Sequence, residues 1–243
     1  MSQLLNSEAP VNQSVERAVR LLGFFSPDEP ELTLAQLTER LHTSKATTHR
    51  YTLALRRVGL LRFDHAAGVY SLGPRIVELA ATALAGLRII SIAAPTMDRL
   101  VAELNETVVL SIWDGESPVV VRVADNTDRL VRIVVRTGAR LPRTTSAQGK
   151  IFLAFGGAES ELAESELETI LEHRVAVNSQ VVDGIRAIAG PVFQGEELTA
   201  AMAVVGTIAS LPEAPDSPVA QALRRASDAL SAELGFLSNE RSS

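Results

Sequence analysis

The run "KATTHRYTLALRR", Lys45 to Arg57, carries Lys45, His49, Arg50, Arg56 and Arg57 and no acid. Small hydroxyls surround its start: Ser44 precedes it, and Thr47 and Thr48 follow within a turn. Short donors at the head of a helix, followed by long cations, suit a surface that reads base edges and meets phosphates. Ser44, Lys45, Thr47, His49 and Arg50 are therefore the candidate DNA-contacting residues. An isolated basic helix is more often just a solvated face, so this reading depends on what surrounds it. A second stretch, "RTTSAQGK", places Thr145 or Ser146 as the cap of a following helix. The free N–H groups of Ala147 and Gln148 would then face outward at the positive end of that helix, where a carboxylate binds readily. A plain N-cap is the competing reading, and spacing alone does not separate the two.

Other chemistries lack their residues. Gly149-Lys150 is not a phosphate-binding loop, because Thr144 and Ile151 stand where that loop needs Gly and Ser/Thr. No G-x-S-x-G or G-x-G-x-x-G occurs. His42, His49, His65 and His173 have no metal-ligand spacing. The acids crowd into "ESELAESELE", which reads as a wet helical face. No metal, cofactor or catalysis is expected.

The elements that would position the first cluster are legible. Residues 1–13 read as a mobile polar tail. Ser14 can cap a helix placing Val15, Ala18, Leu21, Leu22 and Phe25 on one face. Thr33 can cap Leu34–Leu41, and a third helix runs from about Ser44 to Val58, with Gly59 as its stop. On that helix Thr48, Tyr51, Leu55 and Val58 should face inward. "LLRF" and "VYSL" read as strands around the turn "DHAAG". Helix, helix, turn, helix and β-hairpin make a winged helix-turn-helix over residues 14–74, with the third helix in the major groove. Pro74 opens a linker helix over 75–90 whose apolar stripe suits a partner.

Residues 91–238 read as an antiparallel-sheet, effector-binding (GAF-like) domain, so the fold class is α+β. Its expected elements are a helix from about Ala93 to Leu104, strands "TVVLSIW", "SPVVVRVA" and "LVRIVVR", and a helix over Ala147–Phe155. Acid-rich helical turns, strands "GIRAIAGPVF" and "ELTAAMAVVG", and a last helix over Val219–Leu234 follow. Charge divides in the same place. Val15 to Arg75 holds nine Lys/Arg against six acids, whereas from Leu79 onward fourteen face twenty-one. The absence of cysteine excludes disulfides and thiolate metal sites. No secretory signal and no apolar run of about 18 residues is present, so a cytoplasmic location away from membranes is expected.

"SVERAVRLLGFF", "LTLAQLTERLHTSKATTHRYTLALRRVGLL" and "YSLGPRIVEL" resemble the DNA-binding domain of the IclR family of bacterial transcription regulators. "GARLPRTTSAQGKIFLAF", "GIRAIAGPVF" and "AAMAVVG" resemble segments of its effector domain, so the resemblance covers about residues 14–236. It implies a regulator, more often a repressor, that binds a palindromic operator in double-stranded DNA as a homodimer or homotetramer and answers to a small effector. The rivals are an enzyme on a small acid with an accessory winged helix, and a winged helix used for protein interaction. The chain departs from the family pattern at His42 (usually Gly), Ser44 (Pro), Thr48 and Tyr51 (apolar), Thr144 and Thr145 (His and Ala), and Ala203 and Val205 (Ser). The acid expected near "VNSQVVDG" falls on Gln180. The resemblance places the effector pocket at Thr144, Thr145, Ser146, Ala147, Gln148, Asn178, Ala187, Ala203 and Val205. With two hydroxyls and an acid missing, a carboxylate with an apolar or aromatic body should fit better than a small, highly polar acid. In that expectation the carboxylate meets the helix N-terminus and the body meets Ala187, Ala203 and Val205.

Overall fold

The computed structural model describes residues 12–125, 133–157, 161–178 and 184–235. Apart from Asn12 and Gln13, the tail expected over 1–13 lies outside them, as does Gln180. The chain divides into two units, the first ending at Gly86 and the second beginning at Leu87.

In the first unit α1 spans Gln13–Leu22. Its cap is Asn12 rather than Ser14: Asn12 Oδ1 accepts from Ser14 N at 3.1 Å. Leu21 is fully buried, with Ala18, Leu22 and Phe25 around it, but Val15 is exposed, contrary to expectation. A two-residue strand, β1 (Leu32–Thr33), leads into α2, Leu34–Leu41. Thr33 Oγ1 accepts from Gln36 N while Gln36 Oε1 accepts from Thr33 N, a reciprocal cap that fixes the start of α2. The helix stops where His42 turns left-handed, φ +52°, at the position where the family pattern has glycine. Helix α3 spans Lys45–Arg57 with Ser44 as cap, and Gly59, φ +76°, ends the run as expected.

Strands β2 (Leu61–Asp64) and β3 (Val69–Leu72) form the wing hairpin. The strand β1 adds a third member that sequence reasoning missed, giving the antiparallel order β1-β3-β2. Leu21, Leu32, Leu37, Leu41, Leu55, Leu61 and Tyr70 make one core. Val58 is exposed rather than inward, and Thr52 takes the inward place. Helix α4, Pro74–Gly86, has no buried residue within this unit.

The second unit opens with α5, Arg88–Leu104. Its start precedes the expected Ala93, so residues 88–90 belong to α5 and not to the linker helix. A five-stranded antiparallel sheet follows in the order β5-β4-β8-β7-β6. The strands are β4 Thr107–Trp113, β5 Pro118–Ala124, β6 Ala176–Asn178, β7 Ile185–Gln194 and β8 Glu197–Thr207. Helices α5 and α8 (Pro218–Glu233) cover one face around Met97, Leu110, Ile188, Met202, Val204 and Leu223. Helix α6 (Ala147–Phe155) packs on Ala189, Ala201 and Ala203 of the other face, next to α7, Glu164–His173.

The expected strand "LVRIVVR" lies partly outside the described residues, and its described part, residues 133–136, is not strand. Ile133 and Val135 nevertheless pack with Val109, Val120 and Val205 while Val134 is exposed. The chain then meets β5 through Gly138 N to Val120 O (2.7 Å) and Leu141 N to Pro118 O (2.9 Å). Strand β6, three residues long, carries no periodicity of its own and was missed. Among the described residues no single helix is long and apolar enough to cross a membrane.

Candidate functional site

The surface of α3 follows from its cap and its inward threonines. Ser44 Oγ accepts from Thr47 N at 3.2 Å and lies 3.0 Å from Thr47 Oγ1, which starts the helix and fixes both hydroxyls at its tip. Thr48 and Thr52 are fully buried. The Thr48 hydroxyl sits 3.0 Å from that of Thr43, and Thr52 Oγ1 donates to His49 O at 3.0 Å, so neither leaves an unpaired polar atom inside. That packing turns Lys45, His49, Arg50, Leu53 and Arg57 outward. Lys45, His49 and Arg50 make no ion pair among the described residues.

Of the five predicted residues, four therefore lie on α3 and Ser44 caps it; all are exposed but Thr47, which is half-buried. Arg62, exposed on wing strand β2, was not singled out. Arg56 stacks over the Phe63 ring at 5.1 Å. The wing turn is held by Asp64 Oδ1, which accepts from Ala66 N (2.7 Å) and Ala67 N (3.1 Å); the Ala67 and Ala66 bonds hold its carboxyl below the usual range. Arg40, by contrast, is committed internally through two bonds to Glu29 and one to Phe24 O. The outward cations are the ones free to neutralise phosphates.

In the second unit, Ser146 caps α6: its Oγ accepts from Gly149 N at 3.0 Å and donates to Pro142 O at 2.5 Å. Gly149 permits this tight loop, since a Cβ there would lie 2.0 Å from Arg143 O. Thr144 and Thr145 are left exposed at the rim of a cavity of about 370 Å³, which Lys150, Glu166, Val177, Asn178 and Glu213 also line. Lys150 Nζ donates to Glu166 Oε1 at 2.6 Å and to Val177 O at 3.3 Å. Glu213 pairs with Arg186 at 3.2 Å.

Three of the nine predicted effector residues, Thr144, Thr145 and Asn178, line this cavity. Ser146, Ala147 and Gln148 are buried, and the Ser146 hydroxyl is spent on the cap. Asn178, Ala187 and Val205 do form one row across β6, β7 and β8, but the apolar seat assigned to the ligand body is already filled. Ala203 packs in the cluster of Ala147 and Ile151, and Val205 in that of Val109, Val120, Ile133, Val135 and Leu141. Lys150 and Glu166 were missed as site residues. Lys150 follows the cap residue by four positions, so it shares the cap's side of α6, a spacing that would have pointed to it. Glu166 hid inside an acid-rich helix. Among the described residues no cluster of three or more His, Asp or Glu could hold a metal.

Comparison with known proteins assigns both units. The IclR helix-turn-helix domain matches residues 14–65, and the C-terminal domain of bacterial transcriptional regulator IclR matches 81–165. The transcriptional regulator Rv1719 of Mycobacterium tuberculosis is 32% identical, over 81% of this chain and 76% of that protein. The DNA-binding transcriptional repressor YiaJ of Escherichia coli is 27% identical, over 93% and 89%. Among solved structures, an IclR family regulator from Brucella abortus superposes with TM-score 0.79 at 19% identity, covering 96% of each chain. An IclR homologue from Microbacterium hydrocarbonoxydans, solved with 4-hydroxybenzoate, superposes with TM-score 0.73 at 22% identity, over 91% and 98%. The family consists of regulators rather than enzymes. With a helix-turn-helix matched in the first unit and the IclR C-terminal domain in the second, this chain belongs to the IclR family and is a DNA-binding transcriptional regulator.

Proposed function

We propose that the chain is a repressor that binds a palindromic operator as a dimer and is controlled by a small carboxylate held in the second unit. The acid-free outward face of α3, with Lys45, His49 and Arg50 in no ion pair among the described residues, carries the DNA half of this reading. Ser44, Lys45, Thr47, His49 and Arg50 are its base- and phosphate-contacting set. The cavity at Thr144, Thr145, Lys150 and Asn178 carries the effector half, because a cation, two hydroxyls and an amide converge there. Its polar lining favours a carboxylate with a second polar group, the class of the 4-hydroxybenzoate bound by the Microbacterium homologue. Control requires the ligand to favour one arrangement of the dimer over another. The test is fluorescence anisotropy with the promoter fragment next to the chain's own gene, at several salt concentrations. Tight binding that weakens steeply with salt and is released by 4-hydroxybenzoate or a related acid is the expected result. Equal affinity for unrelated DNA would remove operator recognition.

A further inference from the structure

Two oxygens hold Lys150 at the cavity wall. Its side chain is only 13% exposed, and its Nζ meets Glu166 Oε1 at 2.6 Å and Val177 O at 3.3 Å. An ammonium has three N–H donors. Two are taken by protein, and the cavity that Lys150 lines is the place for the third. Glu166 is placed differently. It stands in the first turn of α7 with 39% of its side chain exposed, so its carboxylate can turn to water without becoming a buried charge. Lys150 has no such escape. A buried ammonium needs a counter-charge, and the Val177 carbonyl supplies only part of one.

We propose that Glu166 is a built-in stand-in for the effector's carboxylate, and that an acid binds by displacing it from Lys150. This rests on the cavity being the effector site. The exchange conserves charge: one carboxylate leaves the ammonium and another takes its place. The Thr144 and Thr145 hydroxyls and the Asn178 amide are near enough to line the same space and can donate to the incoming oxygens. Displacement also removes the ion pair that ties the first turn of α7 to α6, leaving Ile170 packed against Ile151 and Phe152. Ligand binding therefore registers as a local loosening at Glu164–His173. A neutral amide of the same shape brings no charge to replace that of Glu166 and does not displace it.

Isothermal titration of the full chain tests the exchange with four acids, acetate, lactate, benzoate and 4-hydroxybenzoate, each beside its amide. Wild type, Glu166→Gln and Lys150→Met are compared. The expected result is acid binding without amide binding, raised about tenfold or more in Glu166→Gln and lowered by a similar factor in Lys150→Met. Glu166→Asp, one methylene too short to reach, should move acid affinity in the same direction as Glu166→Gln and serves if the latter does not fold. A bridge that is only structural would weaken binding in every variant. Acid affinity that moves the same way in the Lys150 and Glu166 variants, does not move, or is matched by the amides overturns the exchange and leaves the effector site standing. If no acid binds wild type or Glu166→Gln, the exchange and the effector reading both fall.

Discussion

Gly149→Ala isolates the contact that shapes the cavity rim. The added Cβ would lie 2.0 Å from Arg143 O and 2.7 Å from both Arg143 C and Pro142 O. All three are backbone atoms, so no side chain can swing aside, and the loop 142–146 must move by more than an ångström relative to α6. Overpacking of that kind costs roughly 3 kcal/mol. Alanine's better helix propensity returns about 1 kcal/mol. The net loss of about 2 kcal/mol lowers the melting temperature of a unit this size by roughly 4–8 °C. Trp113 is the chain's single tryptophan and packs 5.3 Å from the Phe152 ring of α6, so its fluorescence reports the second unit alone. Thermal unfolding followed at Trp113 is therefore the assay, with operator affinity at 25 °C expected to hold. A Gly149→Ala protein that melts within a degree of wild type would show that the loop is not pinned against α6.

Lys45→Ala and Arg50→Ala should each weaken operator binding without unfolding the first unit. A lost phosphate contact lowers the slope of log affinity against log salt by about 0.9, and a lost base contact costs about 1–3 kcal/mol at one base pair; anisotropy at two salt concentrations separates them, and unchanged affinity in both removes α3 as the reading helix. His42→Gly should stabilise the first unit by up to about 1 kcal/mol, since histidine pays a left-handed penalty at φ +52° that glycine avoids, partly offset by glycine's freer unfolded chain; hydrogen exchange of α2 and α3 amides is the readout, and slower exchange is the expected sign. Asp114→Asn should flatten the acid side of the stability curve. Burial pulls the Asp114 carboxyl up, but the Ser117 and Glu116 N–H groups and Arg140 outweigh it and leave it below its ordinary 3.8. Its contribution is therefore present above that value and is lost as pH falls through the depressed one. Acid titrations of wild type and variant that run parallel below pH 3.8 would contradict this.

Local signals were legible where one turn of chain decides the outcome. Thr33 with Gln36, Ser44 with Thr47, Ser146 with Gly149, and Gly59 each act within a few residues, and the helices they bound came out within a residue or so of expectation. The run "LVRIVVR" shows the limit. Its alternation did report which side chains face inward, as Ile133 and Val135 do, but alternation says nothing about whether a neighbouring strand has edge atoms to offer. Likewise β1 and β6 exist because β3 and β7 lie alongside, a long-range fact with no local signature. The basic face of α3 was readable because one helix and its cap hold it. The cavity was not, because Lys150, Glu166 and Asn178 come from three elements that only the folded sheet brings together.

The two apolar residues at Ala203 and Val205 then take on a different meaning from a missing pair of ligand contacts. Serines there would need partners, and a ligand or water could supply them. Alanine and valine need none, and the chain closes over them with its own Ala147, Ile151, Ile133, Val135 and Leu141. The space for a ligand shifts toward the β6 edge, where Asn178 and Lys150 lie. For that reason Val205→Asp is a poor probe of ligand choice. Val205 is 7% exposed among Val109 and Val120, so an aspartate there is a buried charge without a partner and would cost stability before it altered binding. Under the proposed function, polar recognition falls to α6, α7 and the β6 edge, so substitutions at Lys150, Glu166 and Asn178, not at the sheet's apolar face, are the ones expected to change which acid binds.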